Sequence, residues 1–423
     1  MGGNFLDMST LVVNGGRSLD GKIRVHGSKN SVLPILAATI LNSGISEIHN
    51  CPNLSDVDAA IEILRCIGCK VDFRDNVVTV DSSCACNSEI PDNLMREMRS
   101  SVIFMGALLA RLKRATIFSP GGCELGARPI DLHLAAMKKL GARVITDGGE
   151  ITCEARRLKG HDIVLSFPSV GATENSMLAA CACEGKTRII NAAREPEIED
   201  LQNFLRAMGV EVYGAGSSTV TVIGKSKLTD VKYEVIPDRI CAATYMCAGA
   251  LCGGRVFLEN VIPEHISNVT SLIESVGCEI ECKDNCIDLK RYGKLSAIHT
   301  VRTMPYPGFP TDAQPPMMAL TTKCEGTSVF LENIFDGRYR HVGGLVRMGA
   351  DIRVEGNVAL VNGVKSLCGA QTEATDLRGG AALVIAAMAA EGESRISKAC
   401  HIDRGYEKIE DIMSSLGADV KRV

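Results

Sequence analysis

One pattern of apolar and polar positions recurs six times along this chain. An amphipathic stretch with helical spacing runs into a glycine and then into a short strand-like run, as in Cys66-Ile67-Gly68-Cys69-Lys70-Val71 and Lys139-Leu140-Gly141-Ala142-Arg143-Val144. The same arrangement surrounds Gly209, Gly277, Gly349 and Gly417, so the steps between glycines are 73, 68, 68, 72 and 68 residues. A fixed period of this length marks one supersecondary unit used six times. Each glycine reads as a helix cap in the left-handed conformation, turning the chain into the next strand. Every unit carries a second helix of another kind, expected at 31–41, 100–109, 172–182, 241–251, 316–322 and 379–390, apolar on every side and rich in alanine. A helix apolar all round has to be enclosed by protein. The glycine-terminated helices are amphipathic: in 130–140, Leu132, Leu134, Met137 and Leu140 are set against Asp131, His133, Lys138 and Lys139. Short strands are expected between them, for example at 77–80, 163–165, 220–223 and 358–361.

Six units of one buried helix, one outer helix and a small sheet predict an α/β fold of the inside-out barrel type, in two domains of three units each. The sixth unit ends soon after Gly417 and lacks two strands, which residues 11–13 and 22–25 can supply. The expected domains are therefore 29–236 and 1–28 joined with 237–423.

Composition narrows the function classes. Hydrophobic residues make up 46% of the 423, tryptophan is absent and aromatics are 4%, so the cores must be built from small side chains packed closely. The net charge of −4 and the lack of a basic run argue against nucleic acid as a partner. No apolar run approaches the length of a membrane span, so no membrane partner is expected. Residues 1–10 have neither the basic start nor the apolar stretch of a signal peptide. Met1-Gly2-Gly3-Asn4-Phe5-Leu6 has Leu6 where myristoylation needs Ser or Thr. Eighteen cysteines in this context read as reduced thiols in a cytoplasm. The close pairs Cys66/Cys69, Cys84/Cys86 and Cys181/Cys183 lack a second pair at zinc-site spacing, so no metal is expected.

One cysteine stands apart. Cys123 lies in Ser119-Pro120-Gly121-Gly122-Cys123-Glu124-Leu125-Gly126-Ala127-Arg128-Pro129, a loop five residues before an arginine. A thiol there can serve as an acid or a nucleophile, or be a half-buried loop cysteine with no chemistry. The starts of the buried helices are the other polar concentration: Lys29-Asn30, Arg99, Ser169-Val170-Gly171, Asp238-Arg239, Asp312 and Asp376-Leu377-Arg378. Helix N-termini attract phosphate and carboxylate. The aspartates can equally be simple helix caps. Lys29 and Arg99 cannot, and an anion between them would offset their unfavourable placement. Arg404, in Asp403-Arg404-Gly405-Tyr406, is either a further anion contact or a surface ion pair. Tyr306-Pro307-Gly308 forms a turn that can hold the Asp312 carboxylate in position as a base.

The segments Gly27-Ser28-Lys29-Asn30, Met98-Arg99-Ser100-Ser101, Pro120-Gly121-Gly122-Cys123, Gly126-Ala127-Arg128-Pro129-Ile130-Asp131, Ser169-Val170-Gly171-Ala172-Thr173-Glu174-Asn175, Asn191-Ala192-Ala193-Arg194-Glu195-Pro196-Glu197, Phe309-Pro310-Thr311-Asp312, Ala374-Thr375-Asp376-Leu377-Arg378 and His401-Ile402-Asp403-Arg404-Gly405-Tyr406 resemble one family over nearly the whole chain. It is the UDP-N-acetylglucosamine 1-carboxyvinyltransferase family, of the same superfamily as 5-enolpyruvylshikimate-3-phosphate synthase. The resemblance implies transfer of an enolpyruvyl group from phosphoenolpyruvate to the 3′-hydroxyl of UDP-N-acetylglucosamine, opening peptidoglycan synthesis, with no metal or organic cofactor. It implies Cys123 as general acid, Asp312 as the group accepting the hydroxyl proton, and Lys29 in a catalytic role. Lys29, Asn30, Arg128 and Arg404 would hold phosphoenolpyruvate. Asn30, Arg99, Arg128, Pro129, Ile130, Asp131, Leu132, Ser169, Val170, Gly171, Asp312 and Ile334 would contact the nucleotide sugar. Three departures from the family pattern stand out, at Cys241-Ala242-Ala243, Ala313-Gln314-Pro315-Pro316 and Asp336-Gly337. They leave room for another acceptor, or for a paralogue that binds the nucleotide sugar and turns over poorly.

Overall fold

The computed structural model describes residues 9–98, 100–118 and 130–423. Six helices are enclosed by protein: Lys29–Ala38, Phe104–Leu112, Val170–Ala180, Arg239–Cys252, Gln314–Thr321 and Leu377–Met388. From Ser31 to Ala38, and again along Leu383–Met388, every side chain is buried. The second helix begins later than its apolar run predicts, because Ser101–Ile103 forms a 3-10 turn ahead of Phe104. Small residues let these helices pack tightly. A Cβ at Gly106 would stand 2.4 Å from the Asn175 carbonyl oxygen on the third helix, so that contact requires glycine.

All six repeat glycines are left-handed, with φ between 91° and 110°. Each follows an outer helix whose apolar face lies against the core, as Ser55–Ile67 shows with Val57, Ile61, Leu64 and Ile67 buried. One outer helix departs from its pattern. In Asp131–Lys139, His133 points inward while Leu132 and Leu134 are half-buried. The reason is polar: the His133 ring meets the buried Asn175 amide.

The described strands form five four-stranded sheets and one three-stranded sheet. Within each four-stranded sheet, an edge strand from another unit runs parallel to the first strand of the unit, and the rest of the sheet is antiparallel. Val231–Glu234 thus pairs with Ile45–His49, returning the third unit's last strand to the first unit's sheet. The N-terminal strands complete the sheets of the sixth and fourth units. Leu11–Asn14 sits between Glu393–Ser397 and Asp419–Arg422, with Val13 opposite Val420, and Leu19–Arg24 pairs in parallel with Gly254–Glu259.

Contacts divide the described chain into two compact units, 27–236 and 9–26 with 237–423. Each has its own core of aliphatic and small side chains. Three enclosed helices surrounded by small sheets in each unit make this an α/β fold with its helices inside. No helix among the described residues is long and apolar enough to cross a membrane.

Candidate functional site

Within the unit 27–236, Lys29 is the first residue of its helix. Its Nζ lies 3.2 Å from Asp56 Oδ2, with Lys29 12% and Asp56 2% exposed. Asp56 belongs to the first turn of Ser55–Ile67, where a carboxylate also faces a positive helix end. A carboxylate of the protein itself thus answers the cation at this helix start. Asn30 follows, half-buried. Pro34 in the same helix has no N–H for the Asn30 carbonyl, which keeps that oxygen outside the helical ladder.

Ser169 caps the third enclosed helix, its hydroxyl accepting from the Ala172 N–H at 3.3 Å. Val170 and Gly171 form the first turn and are half-buried. The Ile130–Asp131–Leu132 stretch is brought to this turn through His133: a Cβ at Gly171 would lie 3.1 Å from the imidazole Cε1. Asn175 Oδ1 accepts from the Gly106 N–H at 2.7 Å, and its Nδ2 donates to Val102 O and His133 Nδ1, both at 2.8 Å. That orientation of the amide makes Nδ1 an acceptor and leaves the proton on Nε2. Burial lowers the His133 pKa to about 4, so the ring is a neutral donor at physiological pH. On the same helix Glu174 is buried and its carboxyl is pushed up to about 8, first by burial and then by Glu197 and Glu195. It is mostly protonated at neutral pH. Thr173 accepts from the Ala193 N–H at 3.0 Å, fastening this helix to the segment 191–197.

Arg99, Cys123, Arg128 and Pro129 lie outside the described residues.

In the other unit, Asp238 and Asp376 are helix caps, each accepting two backbone N–H bonds. Asp312 is not a cap. It sits inside the 3-10 turn Thr311–Ala313, whose N-cap is Pro310. Arg338 Nη2 donates to its Oδ1 at 2.9 Å and Arg378 Nε to its Oδ2 at 3.3 Å. The two arginine side chains are 2% and 1% exposed, Asp312 27%. Two buried cations thus orient one accessible carboxylate. Arg338 also donates to the Thr311 carbonyl through Nε and Nη2.

Ile334 is tied to the same place. Glu332, 4% exposed, accepts from the Ile334 and Phe335 N–H groups and from the hydroxyls of Thr303 and Thr311. Arg378 lies over the Tyr406 ring, 5.2 Å from its centroid, which connects Asp312 to the half-buried turn holding Arg404. Burial works to lower the Arg378 pKa, but Tyr406, Asp312 and Asp238 more than offset it and raise the guanidinium well above its ordinary value. Arg378 Nη1 and Nη2 are buried beside the Cys241 thiol and the Tyr406 hydroxyl, weak acceptors that leave these donors suited to an anionic ligand. Motif and repeat drew no attention to the roles of Arg338 and Arg378. The signal was an arginine next to a helix-starting aspartate and another just past Asp336-Gly337.

The family model described as EPSP synthase (3-phosphoshikimate 1-carboxyvinyltransferase) matches residues 13–413. A UDP-N-acetylglucosamine 1-carboxyvinyltransferase 2 from Caldanaerobacter subterraneus is 52% identical over 416 residues, covering 98% of this chain and 100% of that protein. The chain belongs to the UDP-N-acetylglucosamine 1-carboxyvinyltransferase family. Another member, from Geobacter metallireducens, is 44% identical over the same coverage. Among solved structures, the enolpyruvyl transferase NikO from Streptomyces tendae has a TM-score of 0.88 at 25% identity and covers 99% of both chains. An EPSP synthase from Acinetobacter baumannii, at 20% identity and TM-score 0.76, covers 98% of this chain and 100% of that one and shares the fold.

The three departures from the family pattern are structurally quiet. Pro315 and Pro316 occupy the first turn of Gln314–Thr321, where proline's missing N–H costs nothing. Gly337 precedes Arg338 without displacing it from Asp312. Cys241 is buried in the first turn of its helix.

Proposed function

We propose that this chain transfers the enolpyruvyl group of phosphoenolpyruvate to the 3′-hydroxyl of UDP-N-acetylglucosamine, releasing phosphate, as the first committed step of peptidoglycan synthesis. The full-length, 52% identical relative that bears this activity in its name carries the proposal. In the first step the hydroxyl oxygen bonds to C2 of phosphoenolpyruvate, its proton passing to Asp312 while C3 takes a proton from the Cys123 thiol. In the second, C3 gives up a proton and the C2–O bond to phosphate breaks, restoring the double bond. A base needs geometry first, and Asp312 has it from two buried guanidiniums.

Lys29, Asn30, Arg128 and Arg404 are proposed for phosphoenolpyruvate, and the Arg378 donors suit its carboxylate. Asn30, Arg99, Arg128, Pro129, Ile130, Asp131, Leu132, Ser169, Val170, Gly171, Asp312 and Ile334 are proposed for the nucleotide sugar. The Ser169–Gly171 turn supports this role because its backbone N–H groups and helix dipole suit a diphosphate. The functional domains are proposed as 29–236 and 1–28 with 237–423, which the compact units 27–236 and 9–26 with 237–423 support to within two residues at the first boundary. A cytoplasmic location is supported by seventeen described cysteines that are all unbridged.

The test is phosphate release with phosphoenolpyruvate and UDP-N-acetylglucosamine. Release that disappears in Cys123→Ala and persists in Cys84→Ala supports the assignment. Release only with a different acceptor would transfer the reading to that acceptor, and no release with any would sink it.

A further inference from the structure

Two ligand-bearing side chains at the start of the helix Arg239–Cys252 meet a third that precedes Cys241 by 215 residues. His26 Nε2 lies 3.5 Å from Cys241 Sγ, and one ligand atom each from His26, Asp238 and Cys241 fall within 4.8 Å of one another. We propose that His26, Asp238 and Cys241 form a binding site for a thiophilic divalent cation of the Zn2+ class. None of the three is among the residues proposed for phosphoenolpyruvate or the nucleotide sugar.

The distances fit the chemistry. With Zn–S of about 2.3 Å and Zn–N of about 2.0–2.1 Å, the S···N edge of a tetrahedral site is about 3.5 Å. The donor set of one sulfur, one imidazole nitrogen and one carboxylate selects zinc-like ions over magnesium or calcium, which take oxygen ligands. Asp238 is already oriented: its Oδ1 accepts from the Ile240 and Cys241 N–H groups at 2.9 Å each. Such bonds set a ligand's direction before the metal arrives. Binding exchanges the Cys241 thiol proton, released to water, for a sulfur–metal bond. A thiolate and a carboxylate then neutralise the two positive charges, with the imidazole neutral.

The protonated Cys241 thiol donates to the Gly405 carbonyl at 3.2 Å, a contact that metal binding exchanges for the sulfur–metal bond. Spacing rules miss this trio because His26 and Cys241 are 215 residues apart.

The experiment is a Co2+ titration of the full-length protein carrying Cys84→Ala and Cys86→Ala, which removes the exposed thiol pair. The expected result is one equivalent of tetrahedral Co2+ with sulfur-to-metal charge transfer, displaced by Zn2+. Cys241→Ser should abolish the charge-transfer band, and His26→Asn should weaken binding by about tenfold or more. Circular dichroism melting confirms that each variant is folded; His26 is half-buried, so its variant remains informative if Cys241→Ser unfolds. A charge-transfer band unchanged in either folded variant, or no band in the parent, would overturn the site.

Discussion

Glu174 and Arg378 are both ionisable residues on enclosed helices, 5% and 1% exposed, and the two units accommodate them in opposite ways. Glu174 has other carboxyls for neighbours and keeps its proton, with a pKa near 8. Arg378 keeps its charge, because Asp312 and the Tyr406 ring stand against it. Neutralising a buried acid avoids an unpaired charge, whereas pairing an arginine creates an oriented, accessible carboxylate. The unit that carries Asp312 has thus converted a cost of burial into positioning. The Lys29–Asp56 pair is intermediate, one cation and one carboxylate with 12% and 2% exposure.

The largest effects should come from Asp312. Asp312→Asn keeps the shape and removes the proposed base, and phosphate release should fall by about 10²–10⁴-fold, the usual weight of general base catalysis. Asp312→Ala also takes the carboxylate from two buried guanidiniums and should lower unfolding free energy by about 3–5 kcal/mol. Urea unfolding of both variants separates the two roles. If Asp312→Ala were as stable as wild type, Arg338 and Arg378 would not depend on it, and the contrast with Glu174 would fail.

Next in size is Lys29. Lys29→Ala should raise KM for phosphoenolpyruvate and leave Asp56 buried beside an alanine, at a cost of about 1–3 kcal/mol. Adding Asp56→Asn should recover most of the stability and none of the substrate affinity. Recovery of both would show that Lys29 serves only the ion pair.

Much of this was legible in the residues. The six glycines report left-handed caps directly, because only glycine takes that conformation without strain, and all-apolar stretches report enclosed helices because water would not tolerate them. The polar helix starts were equally visible. What sequence could not supply is which polar groups meet. Asp312 finds Arg338 and Arg378 at separations of 26 and 66 residues, so it looked like a cap. His133 looked like a surface residue until the Asn175 amide 42 residues away gave it a buried partner. Periodicity describes a face; it does not say which polar residue has a bond waiting inside.

The smallest expected effect, and the most direct probe of the neutral side of the comparison, is the pH dependence set by Glu174. Its folded pKa, about 8, lies above its ordinary value of 4.5, so between those values the folded state binds more protons than the unfolded one. Stability therefore declines as pH rises through that window and levels off above it. Asp200, raised to about 6 by burial, adds the same sign over a lower range. Glu174→Gln keeps the amide-sized side chain and removes the titration. The variant should match wild type near pH 5 and exceed it near pH 8.5, by an amount on the order of 1–3 kcal/mol. Thermal melts at the two pH values give the answer. Equal pH slopes in the two proteins would mean that Glu174 is ionised within the fold, and that the unit holding it has a cationic partner of the kind Asp312 has in Arg378.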